Sequence, residues 1–261
     1  MINKFRKLVL LFQLKLKYPE VVYFGAPRVV MLFGIPRRIL RHGFYSQRGQ
    51  DELVFTEFFR ALNTRDFPKF FVDIGCNHPI LHSNSFFFEM NQGYKVLAVD
   101  ALAEVHALWR LRRPASDFAE CAVGASAGEV SFDVVGGGNL ESMFSSVSGS
   151  SQKGAAHPVS TRKVRVRRIA DILAERGIQS AGILSMDIEG YELPALKGID
   201  FSRFMAYVFI IENNSHEGLG CNHIRDLMIG NGYIYYARIW NLDDIFIHPE
   251  LLTLCDEVDR G

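Results

Sequence analysis

Four apolar runs in this chain of 261 residues end in residues that can do chemistry. Phe71-Val72-Asp73-Ile74 leads into Gly75-Cys76-Asn77, and Lys95-Val96-Leu97-Ala98-Val99 leads into Asp100. The run from Gly182 to Met186 leads into Asp187, and Val208-Phe209-Ile210-Ile211 leads into Glu212-Asn213-Asn214-Ser215-His216. In a parallel sheet these ends emerge on one edge, where open α/β folds bind ligands. An acid closing the second strand can accept hydrogen bonds from both hydroxyls of a ribose, and Asp100 is read in that role. Asp187, Glu212 and Asn213 offer the oxygen ligands that a hard cation such as Mg²⁺ takes. Asp187, Glu212 and His216 can also accept a proton from a reacting group. The bland alternatives are a solvated turn carboxylate at Asp100 and helix capping by Asp187 or Glu189.

The first of these turns holds one glycine, not the three of G-x-G-x-x-G. That argues against a pyrophosphate seated on the following helix. A nucleoside ligand without phosphates, such as S-adenosylmethionine, fits better. Gly75 is expected to let the backbone pass close to that ligand. Asp73 holds either the turn or the ligand's amino group, and Cys76 and Asn77 complete the turn. Ala101 and Ala122, following the second strand and within the third, are assigned to the same pocket. In Ser83-Asn84-Ser85, either Asn84 caps a helix with its serine neighbours or it faces the ligand. His78 and His82 are read as packed or surface histidines.

The elements that must position these residues alternate between two periods. Residues 50 to 62 carry Val54, Phe55, Phe58, Phe59 and Leu62 at helical spacing. Helices are also expected near 85–92, 103–112, 170–176 and 223–229, with Gly93, Gly177 and Gly230 as stops. Strands are expected at the four runs above, at Phe118–Val123, and at Tyr233–Ile239 and Ile245–His248. Glu129–Val135 and Lys163–Ile169 alternate as extra strands. Between them, residues 136 to 157 are rich in Gly and Ser and read as a loop that helps define an acceptor pocket. Alternating strands and helices specify an α/β domain.

Hydrophobic residues make up 48% of the chain and charged residues 22%, so a globular core is expected. Net charge is zero but unevenly spread: residues 1 to 48 hold ten Lys or Arg against the one acid Glu20. The remainder carries 19 basic and 28 acidic residues, which disfavours a nucleic-acid partner. The basic, apolar start is either an arm packed on the domain or a peripheral membrane contact. No run reaches the roughly 18 apolar residues of a membrane span. The four cysteines form no C-x-x-C pair and read as reduced thiols of a cytoplasmic protein.

Ser46-Gln47-Arg48-Gly49-Gln50-Asp51, Phe71 to Asn77, Ser83-Asn84-Ser85, Leu184 to Glu192 and Leu196-Lys197-Gly198 stand in an order and spacing that resembles the FkbM family of S-adenosylmethionine-dependent methyltransferases. The resemblance spans about residues 45 to 215. It implies a class I methyltransferase, Rossmann-like fold: a seven-stranded, mostly parallel sheet with the last strand antiparallel and helices on both faces. It also implies O-methylation of a sugar, glycan or polyketide-like hydroxyl. Residues 1–44 are then an extension and 45–261 the methyltransferase domain. The chain departs from the family pattern at Cys76, usually alanine, at His78-Pro79, usually an acid and a glycine, and at Asp100, more usually glutamate. An NAD-dependent oxidoreductase or epimerase and a non-catalytic binding module stand as alternatives.

Overall fold

The computed structural model describes residues 43–64, 66–135, 145–149, 158–213 and 222–260. The basic extension up to residue 42, most of the Gly/Ser stretch, and His216 with its neighbours lie outside the described residues.

The main sheet is built from β1 (Phe70–Ile74), β2 (Lys95–Asp100), β3 (Asp117–Glu120), β8 (Ser180–Met186), β9 (Met205–Glu212), β10 (Ile234–Ile239) and β11 (Asp243–Ile247). Its spatial order is β10-β11-β9-β8-β1-β2-β3. All neighbours are parallel except β11, which runs antiparallel to both β9 and β10. This is the seven-stranded sheet with an antiparallel last strand that the motifs implied.

The apolar runs are continuous because both faces of the sheet are covered. Alternate side chains feed two cores. Phe71, Val96, Ala98, Ile183, Val208 and Ile210 enter one, while Val72, Leu97, Val99, Leu184, Phe209 and Ile211 enter the other. On the flanks lie α1 (Gln50–Glu57), α2 (Phe59–Leu62), α3 (Phe86–Gln92), α4 (Ala103–Arg112), α5 (Ile169–Ala174), α6 (Glu192–Leu196), α7 (Asn222–Gly230) and α8 (Pro249–Arg260). The helix expected over 50–62 breaks at Phe58, whose ring meets Tyr236 at 5.0 Å. The sequence reading missed α8, which packs on α2 and buries Leu251.

The third strand differs most from expectation. Phe118–Val123 is not one strand: β3 ends at Glu120, and β4 (Ala122–Val123) joins a second, four-stranded sheet. That sheet contains β5 (Gly128–Val135), β6 (Ser146–Val147) and β7 (Pro158–Arg167) in the order β4-β7-β5-β6. The switch occurs at Cys121, whose N–H still donates to the Asp100 carbonyl at 2.9 Å before Ala122 and Val123 pair with Val166 and Arg167. The two alternating segments flanking the Gly/Ser stretch are thus antiparallel neighbours in this second sheet. Among the described residues, no helix is long and apolar enough to cross a membrane.

Candidate active site

β1 and β8 are neighbours, so the turns that follow them meet. Gly75 has φ +72°, and a Cβ there would lie 1.8 Å from the carbonyl oxygen of Asp187. The Asp187 N–H donates to the Ile74 carbonyl at 3.0 Å. The structure gives Gly75 a reason of its own: the backbone of Asp187 leaves no room for a side chain there. Two residues on, Asn77 is left-handed at φ +39°. Its carbonyl accepts from the Trp109 indole at 2.7 Å, and its N–H donates to Asp100 Oδ2 at 3.1 Å. Leu102 N–H donates to Asp100 Oδ1 at 3.0 Å. Burial nevertheless dominates and pushes the Asp100 carboxyl up to about 6.

The Ser-Asn-Ser segment divides its duties. Ser83 Oγ accepts from the Phe86 N–H at 3.2 Å and so serves the start of α3. Ser85 donates to Asp73 Oδ2 at 2.5 Å. Burial raises the Asp73 carboxyl, and that hydroxyl and the Arg113 guanidinium oppose the shift. Asn84 Nδ2 donates to Ser185 at 2.8 Å, while Asn84 Oδ1 is buried without a hydrogen-bond partner in a cavity wall. Asn84 thus faces the cavity rather than capping the helix.

The two histidines of this loop separate. His78 Nδ1 accepts from the N–H groups of Ile80 and Leu81 at 3.1 and 2.9 Å. Burial, then His82, holds the His78 ring down at about 4, so it is a neutral structural acceptor. His82 is left-handed at φ +60° and bridged to Ser46. Its Nδ1 is buried without a hydrogen-bond partner, and burial followed by Arg48 lowers its pKa. A non-glycine residue with this φ is an uncommon conformation that the surroundings must hold. Here the bridge to Ser46 supplies the hold.

Ser46 belongs to the Ser-Gln-Arg-Gly-Gln-Asp segment. Its latch is Asp51, which is buried and accepts from Tyr45 N–H, Ser46 N–H and Ser46 Oγ at 2.6, 3.1 and 2.5 Å. The latch carries Gln47, Arg48 and Gln50 onto the same cavity wall, where Gln50 Nε2 donates to Asp243 at 2.9 Å.

Oxygens of Asp187, Glu189 and Glu212 lie within 4.8 Å of one another. Glu189 and Glu212 are buried, while solvent reaches Asp187 through the cleft mouth. The turns crowded around it still strip the Asp187 carboxyl of part of its hydration. That desolvation, then the charges of Glu212, Glu189 and Asp243, push it well above the usual carboxylate range. Asn213 does not join this group as expected. Its amide donates to Asp244 at 2.6 Å, because Asp244 is gathered by Arg225 and Arg238 at the neighbouring strand end. Glu189 takes the third place instead. Capping falls to neither Asp187 nor Glu189: Glu192 Oε1 accepts from the N–H groups of Ile188 and Gly190 at 3.0 and 3.1 Å.

Two cavities flank this point. The first has an empty volume of about 540 Å³, with an apolar slot between Val99, Leu102, Val123, Phe132 and Val147. Asp100, Ala101 and Ala122 line it, together with Cys121 at the strand switch. Ser145 and Val147, in the middle of the Gly/Ser stretch, border this slot, not the second cavity. The second cavity, about 1140 Å³ and open to solvent, is lined by Asp73, Cys76, Asn84, Glu212 and Asp243 among others. Gly75, Asn77, Asp187 and Glu189 border both.

Residues 73–235 match the methyltransferase FkbM domain. The chain belongs to the FkbM methyltransferase family. No curated protein matches it. One similar solved structure is a TehB-like SAM-dependent methyltransferase from Corynebacterium glutamicum, 11% identical, with a TM-score of 0.40, over 85% of this chain and 100% of that one. The matched segment of this FkbM methyltransferase includes the Gly75 turn, Asp100 and the three clustered carboxylates, but neither Arg48 nor Asp243. The sequence reading gave those two cavity residues no role, took His82 for a packed or surface histidine and Glu189 for a helix cap. The Ser46–His82 bridge and the β9–β11 pairing bring in Arg48, His82 and Asp243, and neither is a local pattern, whereas Glu189 follows β8 two residues after Asp187.

Proposed function

We propose that this chain transfers a methyl group from S-adenosylmethionine to a hydroxyl of a small-molecule or glycan acceptor, of the sugar or polyketide-like kind. The observation that carries the reading is the junction: an apolar slot with a ribose-type carboxylate and a polar cavity meet at Gly75 and Asp187. The slot suits an adenine ring, with Asp100 and Asn77 beside the ribose. The donor supplies a methyl group on a cationic sulfur. What the chain must add is alignment and proton removal.

An alcohol is almost wholly protonated near neutral pH, so a base must take its proton during transfer. Asp187 stands at the junction, and its raised pKa makes it a stronger base than an ordinary carboxylate. The trio of Asp187, Glu189 and Glu212 is also the donor set that a Mg²⁺ ion would use, with oxygen ligands only. Such an ion would supply positive charge that lowers the pKa of an acceptor hydroxyl.

Isothermal titration with S-adenosylhomocysteine tests the donor. Saturable heat is expected, and its absence, with NAD giving heat instead, would end this reading in favour of an oxidoreductase. Asp187→Ala is expected to keep that heat. It should lose transfer of labelled methyl from S-adenosylmethionine into extracted polar metabolites. Undiminished transfer would remove Asp187 from the chemistry.

A further inference from the structure

The turn between β10 and β11 carries a residue that its backbone does not ask for. Leu242 N–H donates to the Ile239 carbonyl at 2.9 Å, so Trp240 and Asn241 are the central residues of a tight turn. Both are left-handed, at φ +51° and +55°. Hairpin turns of this hand favour Asn or Gly at the first central position, and a bulky side chain there is an outlier. Trp240 is also 68% exposed, so its ring gains little from burial. Its place is nonetheless fixed. The indole Nε1 donates to the Arg48 carbonyl at 3.1 Å, and Arg238 donates to the carbonyls of Asn241 and Asn213 at 2.7 and 3.0 Å. An unfavourable conformation that its surroundings hold in place points to function.

Arg48, which the indole touches, and Leu242 and Asp243, which follow it in the chain, all line the second cavity. The indole therefore stands at the rim of that open space. Among the described residues, Leu242 is the one aliphatic side chain of the lining; amides such as Gln47 and carboxylates such as Glu212 make most of the rest. A flat apolar face beside polar walls suits a ligand that is itself two-faced. A pyranose has C–H groups on its ring faces and hydroxyls around its edge. An aromatic ring covers the first while amides and carboxylates bond the second. A polyketide chain brings more apolar surface than one leucine can cover.

We infer that Trp240 is the platform on which a pyranose ring of the acceptor stacks, at the mouth of the second cavity. The inference rests on the transfer reading above and narrows its acceptor to a sugar or glycan.

The chain has two tryptophans, and Trp109 is 1% exposed, so acrylamide quenching of fluorescence reads Trp240. The probes are methyl pyranosides of the gluco, galacto, manno and fuco series, with cyclohexanol as an apolar ring of similar size. Each is added to the whole chain with and without S-adenosylhomocysteine. At least one pyranoside is expected to lower the quenching constant about twofold at saturation, and cyclohexanol to leave it unchanged. Protection by no probe, or by cyclohexanol alone, overturns the platform. So does quenching that falls with rising protein concentration, which would make the indole a contact between copies. Transfer of labelled methyl into a dilute metabolite extract should fall about 5- to 20-fold in Trp240→Ala. Trp240→Phe, which keeps an aromatic face without the N–H donor, should stay within about threefold of wild type. Equal losses in the two variants would make the indole N–H a structural tie to Arg48 and overturn the inference, as would an undiminished alanine variant. All three proteins should give the same heat with S-adenosylhomocysteine. If wild-type protein gives none, the donor reading falls, and pyranoside protection still judges the platform by itself.

Discussion

Asp100 shows how one side chain can serve two purposes. Its carboxylate ties the N–H groups of Asn77 and Leu102, which fixes the turn after β1 and the start of α4 relative to each other. It also faces the first cavity with a pKa of about 6 against an ordinary 3.8. A carboxyl raised in the folded state binds protons better there than in the unfolded chain. Its favourable contribution to folding is present below pH 3.8 and is lost as pH rises through 6. Ligand binding has the opposite sign, because the ionised form is the better acceptor for two ribose hydroxyls. Affinity for S-adenosylhomocysteine is expected to tighten about tenfold between pH 5 and 7, with a midpoint near 6, and Asp100→Asn should flatten that profile. Calorimetry across this range checks it, and a flat wild-type profile would remove Asp100 from the ribose contact. The need for glycine at position 75 was legible in the sequence, but the backbone it must clear was not. The carbonyl it must avoid belongs to Asp187, 112 positions away.

Arg113 is the clearest case at the scale of elements. It follows α4, is buried, and pairs with Glu89 of α3 at 2.5 Å. The same guanidinium donates to the Pro79 carbonyl at 3.1 Å and to Ser85 at 2.9 Å, and lies 4.1 Å from the centre of the Trp109 ring. One side chain thus joins α3, α4 and the loop that presents His82 and Asn84. Nothing in the local pattern marks Arg113 apart from Arg110 or Arg112, since a charged residue in a last helical turn is ordinarily solvated. Removing one partner of a buried ion pair leaves the other charge uncompensated. Arg113→Met should therefore cost about 3 to 5 kcal/mol in urea unfolding. Arg113→Lys should restore little, because an ammonium cannot serve carboxylate, carbonyl and hydroxyl in one plane. A loss under about 1 kcal/mol would show that the loop is held by other means.

Across the whole molecule, function is set against stability at the junction of the two cavities. Three carboxylates share a space under 5 Å across, with Asp243 adding to the field around Asp187. Like charges held this close destabilise the folded state unless a proton or a cation intervenes. Millimolar Mg²⁺ is therefore expected to raise the melting temperature of chelator-treated protein by a few degrees. Glu212→Gln should raise the metal-free melting temperature by about 2 to 4 °C, roughly 1 kcal/mol, and abolish the Mg²⁺ response. Differential scanning fluorimetry with and without chelator decides between the outcomes. A wild-type protein indifferent to Mg²⁺ would leave the carboxylates with proton transfer alone.

The strands of the main sheet and the order of its motifs followed from local chemistry. A strand buried on both faces must read as an unbroken apolar run, and its end must turn polar where it leaves the core. That logic identified β1, β2, β8 and β9 and the acids closing them, and hence the fold and the family's fingerprint. The partners of those acids depended on the packing of distant segments. Glu189 replaced Asn213 because Asp244, on a strand paired with β9, draws the Asn213 amide away. The strand expected over Phe118–Val123 divided because β7, more than thirty residues later, pairs with Ala122 and Val123. Arg48 reached the cavity through the bridge between Ser46 and His82. Periodicity records which face of an element is covered, whereas strand pairing and cavity composition depend on which other elements do the covering.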